Sequence, residues 1–183
     1  VKEGRRLRGV PTSEASRSLA AALGIPLLDD GGPWSIDVTV DGADEVSAEL
    51  DVIKGGGGCH TREKIVNQSS AYNIIVVDDT KLSKHLGERW AVPVEVMPFG
   101  RGSVERRLEQ FGEARVRIRD GQPWLTDAGN FIYDVRCGAI TDPKSLDIEL
   151  RAVAGVVATG LFVGCVDEVI VAGFEGVRTM RRP

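Results

Sequence analysis

Three groups of polar residues stand close together early in the chain. Asp41-Gly42-Ala43-Asp44-Glu45 places two acidic side chains three apart in a tight turn. Lys54 then opens the run Gly55-Gly56-Gly57-Gly58, and Glu63 follows shortly after it. Four successive glycines lose more backbone entropy on folding than any other four residues. They suit a place where backbone N–H groups must turn toward an anion. The loop feeds a helical stretch beginning at Thr61-Arg62-Glu63-Lys64, with Ile65 and Val66 on its apolar side. A glycine loop at a helix N-terminus fits an oxyanion or a phosphate. Each group also has a plain structural reading. The loop can be a glycine-rich hairpin connection, and a first-turn glutamate is favoured by the helix dipole alone.

The flanking pattern predicts what positions these groups. Ile36, Val38 and Val40 alternate with polar residues and predict a strand ending at the Asp41 turn. Leu50, Val52 and Ile53 predict a second short strand ending at Lys54. Asn73–Asp78 carries the continuous β-branched run Ile74-Ile75-Val76-Val77, the mark of a strand covered on both faces. Lys81 lies just past its end. In open α/β sheets ligands bind beyond the carboxyl ends of strands. All three clusters are therefore expected on one ligand-binding rim.

The bulk composition narrows the function classes. A chain of 183 residues with 42% hydrophobic content can bury one sizeable core, or one core and a small satellite. The net charge of −4 and the lack of a basic face argue against nucleic acid as a partner. No apolar run reaches membrane-spanning length, and no secretory signal is visible. Cys59, Cys137 and Cys165 are odd in number, scattered and without metal-ligand spacing, which fits a reducing cytoplasm. Cys59 reads as a small packing residue.

The motif set resembles the type A ribose-5-phosphate isomerases. Asp-Gly-Ala-Asp-Glu, a Lys-Gly-Gly-Gly loop thirteen residues after the first Asp, a Glu nine further on and a Lys eighteen beyond correspond to Asp41, Lys54, Glu63 and Lys81. The similarity continues through Val77-Val-Asp-Asp-Thr-Lys81, Pro93-Val-Glu-Val-Met-Pro98, Thr126-Asp-Ala-Gly-Asn130 and Gly155-Val-Val-Ala-Thr-Gly-Leu-Phe162. The resemblance implies an aldose–ketose isomerase acting on D-ribose 5-phosphate through an enediolate, without metal or other cofactor. Glu63 would be the general base, shuttling one proton between two neighbouring carbons. Lys54, with the N–H groups of Gly55, Gly56 and Gly57, would hold the developing oxyanion, where one aimed donor contributes about 3 kcal/mol. Asp41 would contact sugar hydroxyls and open the ring, and Asp44 would bind hydroxyls and orient Lys54. Gly42 and Ala43 complete that substrate-binding turn, and Lys81 would touch substrate too. His60 stands where similar proteins usually carry an apolar residue, and is expected to be a tolerated surface or loop change. Similar isomerases also begin with a strand, a Gly-Thr-Gly-Ser-Thr-type phosphate loop and a helix. No such loop occurs in this sequence, and a sugar-phosphate-binding homologue without catalysis is the alternative this raises. An acyl-CoA transferase with a glutamate nucleophile is a third reading, against which the Asp-Gly-Ala-Asp turn speaks for sugar hydroxyls.

The implied architecture is α/β: a Rossmann-like, open, mostly parallel sheet with helices on both faces, plus a smaller α+β, ferredoxin-like domain. Residues 1–93 and 167–183 would form the catalytic domain and 94–166 the small one. The segment up to Gly4 reads as a helix end, Leu7–Pro11 as a short strand, and Thr12 or Ser13 as the cap of a helix closed by Gly24. Further on, Ser103 is expected to cap a helix, Ser145–Val153 to be another, Val156–Val163 to be one strand, and Glu168–Ala172 to return to the first sheet. The resemblance implies a cytoplasmic homodimer or homotetramer.

Overall fold

The computed structural model describes residues 7–182. The expected helix end at Gly4 lies outside them. Helix α1 (Glu14–Ala22) is capped by Ser13, whose hydroxyl oxygen accepts the Ser16 N–H. At Leu7–Pro11 a single bridge between Gly9 and Leu27 replaces the expected strand. Short strands β1 (Thr39–Asp41), β2 (Glu45–Val46) and β3 (Val52–Ile53) precede α2 (His60–Gln68) and β4 (Asn73–Asp78). Then come β5 (Val92–Val96), α3 (Arg101–Leu108), β6 (Glu113–Val116) and the hairpin of β7 (Ile118–Arg119) and β8 (Gln122–Pro123). After β9 (Phe131–Arg136) and α4 (Pro143–Arg151) follow β10 (Val156–Thr159), β11 (Leu161–Phe162), β12 (Glu168–Gly173) and β13 (Gly176–Arg181).

The fold is α/β. Strands β1, β4 and β12 run parallel in that order, and β13 closes one side as the antiparallel partner of β12. Ile75 and Val77 of β4 are buried, but Val76 on the other face is 42% exposed. The continuous apolar run therefore does not correspond to two covered faces among the described residues. The second unit runs β5-α3-β6-β9-α4-β10, and its antiparallel sheet has the order β10-β5-β9-β6. That βαββαβ path is the expected ferredoxin-like arrangement. Its core gathers Val92, Val94 and Val96 of β5 with Leu108, Tyr133 and Leu150. A second core joins Val46, Val52 and Phe162 to Ile75, Val77, Val169 and Val171 of the parallel sheet.

A third, three-stranded sheet has the order β11-β3-β2. Lys54 therefore leaves the end of β3 in an antiparallel sheet, not a strand of the parallel one as its apolar run suggested. The expected strand Val156–Val163 is split at Gly160. There the chain passes from the antiparallel four-stranded sheet to the three-stranded one. The Gly160 N–H donates to the Pro93 carbonyl at 2.6 Å, and its carbonyl accepts the Lys54 N–H at 2.8 Å. A Cβ at Gly160 would collide with the Lys54 carbonyl and the Pro93 ring. Only glycine fits this seam, and the seam fixes where Lys54 starts.

Candidate active site

The side chains of Asp41, Lys54 and Glu63 converge. Asp41 is the last residue of β1, Lys54 the first after β3, and Glu63 sits in the first turn of α2. The Lys54 side chain is 5% exposed. Its Nζ donates to the Gly42 carbonyl at 2.5 Å and ion-pairs with Asp41 Oδ2 at 2.9 Å and Glu63 Oε2 at 3.2 Å. An ammonium has three protons, and three oxygens surround it here. The Phe162 ring lies beneath, its centroid 5.6 Å from Lys54 Nζ and 4.9 Å from Lys64 Nζ. Glu63 Oε2 is buried and, although close to the ammonium, is in no well-aligned hydrogen bond among the described residues. Burial raises the proton affinity of Glu63. Lys54 opposes that rise and Asp41 adds to it, leaving the carboxyl above its ordinary range.

The glycine loop is held from two sides. Asp44 Oδ2 accepts the Gly56 N–H at 2.7 Å. A Cβ on Gly56 would stand 2.5 Å from Asp44 Oδ1, so this approach requires glycine. Asp44 thus orients the loop. The expectation that it orients Lys54 is corrected: Asp41, Glu63 and the Gly42 carbonyl do that. The Gly56 N–H, expected to serve an oxyanion, is committed to Asp44. On the other side the carbonyls of Gly55 and Gly56 accept from Arg117. The Gly58 N–H closes the turn onto the Gly55 carbonyl at 3.0 Å. The Gly57 N–H has no protein acceptor among the described residues. Gly42 donates its N–H to Asp41 Oδ1 at 2.8 Å, and Ala43 packs against the parallel-sheet core.

Lys81 stands apart from this cluster. It closes a single 3₁₀ turn, Asp79–Lys81, and its ammonium lies 5.2 Å from the centroid of the Trp90 ring. The Trp90 loop is in turn fixed by Glu45, fully buried, whose carboxylate accepts the N–H groups of Gly87, Arg89 and Trp90 at 2.9, 3.2 and 3.3 Å. Sequence reasoning gave Glu45 no role, although its place in the acidic turn was a signal. It likewise missed Glu95, a charged residue inside an apolar strand. Glu95 is 1% exposed and accepts from Thr61, from Thr126 at 2.9 Å and from Asn130 at 2.8 Å. These contacts join the helix carrying Glu63 to the 126–130 loop.

His60 corrects the expectation of a surface change. It begins α2, is fully buried and packs against Gly55, and neither ring nitrogen has a hydrogen-bond partner among the described residues. Burial, with Lys64 and Arg117 nearby, lowers its pKa to about 3, so it stays neutral. Cys59, at the helix cap, is pushed upward by burial and by Glu63, which disfavours a reactive thiolate. Among the described residues, no group of three or more His, Cys, Asp or Glu is arranged to hold a metal ion.

Residues 8–176 match the family of ribose 5-phosphate isomerase A (phosphoriboisomerase A). Ribose-5-phosphate isomerase A of Chloroflexus aurantiacus is 49% identical over 172 residues, covering 93% of this chain and 72% of its own length. The Brucella suis protein of the same name is 44% identical over 189 residues, covering 100% and 81%. The solved structure of ribose 5-phosphate isomerase A from Methanocaldococcus jannaschii superposes with a TM-score of 0.92 at 41% identity, covering 98% of this chain and 80% of that one. A D-ribose-5-phosphate isomerase in complex with phospho-erythronic acid superposes with a TM-score of 0.94 at 38% identity, covering 99% and 80%.

Proposed function

This chain belongs to the ribose 5-phosphate isomerase A family, and on that premise we propose that it interconverts D-ribose 5-phosphate and D-ribulose 5-phosphate through an enediolate. The observation that carries the reading is the buried Glu63 carboxylate, raised in proton affinity and ion-paired to Lys54. Glu63 takes the proton from C2 of the open-chain aldose. The freed electron pair forms the C1–C2 double bond, and the C1 carbonyl oxygen becomes the enediolate oxygen. At that moment Glu63 turns neutral and the negative charge passes to the substrate. Lys54 exchanges one anionic partner for another, so its charge stays compensated throughout. Glu63 then returns its proton to C1, and the O2 hydroxyl gives up its proton to O1 as C2 becomes the ketone. A carboxyl whose pKa lies nearer the working pH than an ordinary glutamate does both transfers better.

Asp41 holds Lys54 and serves the ring-opening step. The turn Gly42-Ala43-Asp44 and the loop Gly55-Gly56-Gly57 surround the sugar, and Lys81 reaches it from the β4 end. A structural relative binds phospho-erythronic acid, which supports a sugar-phosphate-like substrate. Its carboxylate sets two oxygens on one planar carbon, much as an enediolate sets two on a planar pair. The division into a catalytic unit of residues 1–93 and 167–183 and a small unit of 94–166 fits this reading, with the boundary falling inside β5. The same family membership supports a cytoplasmic homodimer or homotetramer. No helix among the described residues is long and apolar enough to cross a membrane.

The test is a ribose 5-phosphate incubation in deuterated water followed by NMR. Conversion to ribulose 5-phosphate, with solvent deuterium entering beside the carbonyl, is the expected result. Absence of conversion in either direction would overturn the assignment.

A further inference from the structure

We propose that Arg117 is a positioning residue of the catalytic site, setting the glycine loop so that the Gly57 N–H serves as an oxyanion donor. The proposal rests on the enediolate chemistry above. Arg117 lies between β6 and β7, on the opposite unit of the fold from Lys54 and Glu63. Its own backbone is fixed on both sides, since its N–H donates to Ile132 at 2.7 Å and its carbonyl accepts Trp124 at 2.8 Å. Its guanidinium forms a fork with Asp134, Nε to Oδ2 at 2.9 Å and Nη2 to Oδ1 at 2.5 Å. The remaining Nη1 donates to the Gly55 carbonyl at 2.6 Å and the Gly56 carbonyl at 3.2 Å.

Pinning a carbonyl also aims an N–H. The peptide unit is planar and trans, so the C=O of one residue and the N–H of the next point in opposite directions. With the Gly55 carbonyl on Arg117, the Gly56 N–H points away from it, and it meets Asp44 there at 2.7 Å. With the Gly56 carbonyl on Arg117, the Gly57 N–H is turned toward the same Asp44 side. That N–H has no protein acceptor among the described residues. A cation on the carbonyl also polarises the amide and makes its N–H a stronger donor. Without such a brace, glycine backbone freedom would spread the donor over many directions. Trp124 adds a stop at the far end of the loop: a Cβ at Gly58 would stand 2.7 Å from its indole. Arg117 thus acts through the loop and does not itself touch the reacting carbons.

The experiment compares wild type, Arg117→Ala and Arg117→Lys by isomerase kinetics and thermal unfolding. Arg117 lines an open cleft of about 520 Å³ with Gly56, Trp90 and Asp134, wide enough to admit free guanidinium ion. Arg117→Ala is expected to lower kcat roughly 10²-fold with little change in KM, the scale of one misdirected oxyanion donor. Guanidinium should restore part of kcat in Arg117→Ala and none in wild type. Arg117→Lys should stay impaired, because a single-point ammonium lacks the planar fork that pairs two nitrogens with Asp134 while a third reaches the loop carbonyls. Kinetics are read at a temperature where circular dichroism shows each variant folded. Unchanged kcat in Arg117→Ala overturns the proposal. So does a loss of kcat that guanidinium fails to restore, which would give Arg117 a purely structural role. An inactive wild type would instead overturn the isomerase reading, which separates the two failures.

Discussion

Glu63, largely buried, stands at the rim of the parallel-sheet unit, and Glu95, fully buried, lies on β5 inside the ferredoxin-like sheet. Their surroundings differ. Glu95 is saturated by hydrogen bonds from Thr61, Thr126 and Asn130. Glu63 has a charge partner in Lys54, yet its Oε2 has no well-aligned donor among the described residues. The hydrogen-bonded carboxylate is a joint, because donors from α2 and from the 126–130 loop meet on it. The unsaturated one keeps capacity in reserve, and burial raises its affinity for that proton. Satisfaction, more than burial, separates the group that holds the fold from the group placed to react.

The sharpest way to break this contrast is Glu63→Gln. The amide keeps the shape and loses the base, so turnover should fall by about 10²–10⁴-fold while sugar-phosphate binding persists. Steady-state kinetics and calorimetric titration check both halves, and a variant within about tenfold of wild type would sink the assignment of the base. Stability should move the other way. The folded state raises the Glu63 pKa above its ordinary 4.5, so its contribution is complete below that pH and is lost as pH rises through the raised value. Glu63→Gln is therefore expected to unfold no more easily than wild type at pH 7. The acid limb of the kcat profile should lie above the ordinary carboxylate range.

Glu95→Gln should give the reverse result. Its amide would face the Asn130 amide donor with a second donor, and hydrogen bonds to a charged acceptor are lost. A loss of about 3 kcal/mol in unfolding free energy is expected, with kcat near wild type wherever the protein is folded. Urea unfolding measures it. A large fall in kcat at full folding would show that the 126–130 loop enters the chemistry.

His60 sharpens the rule, being unsatisfied yet closed to solvent. Its pKa of about 3 lies below the unfolded value near 6.5. Its contribution to stability is therefore present above pH 6.5 and is lost as pH falls toward 3. His60→Leu should remove that loss, a difference of about 2 kcal/mol at pH 5, and leave turnover unchanged. Thermal melts between pH 7 and pH 4 test it. A variant as acid-sensitive as wild type would move the cause to another group.

How much of this was legible beforehand follows a physical division. The β-branched run of β4 gave its strand to the residue, Asn73–Asp78, because the signal is local. The acidic turn, the lysine, the glycine loop and Glu63 were picked out by type and spacing, and the structure brings three of their side chains together. Asp44 was placed on the wrong partner because its carboxylate reaches the Gly56 backbone, and backbone groups leave no mark in a sequence. Arg117 was passed over for a related reason. Its contacts to Gly55 and Gly56 span 62 and 61 residues, and an arginine in an alternating segment reads as a solvated one. His60 misleads because a polar residue beside a loop reads as exposed.

The seam at Gly160 has a consequence for how this protein tolerates change. The residue contributes no functional group, yet the start of Lys54 and the course of β5 both depend on the space it leaves empty. An activity screen of random variants would score a loss at Gly160 alongside a loss at Glu63, and would rank an absence of atoms with the catalytic base. Such a map records shape and chemistry in one currency, and only an independent measure of folding tells which of the two was damaged.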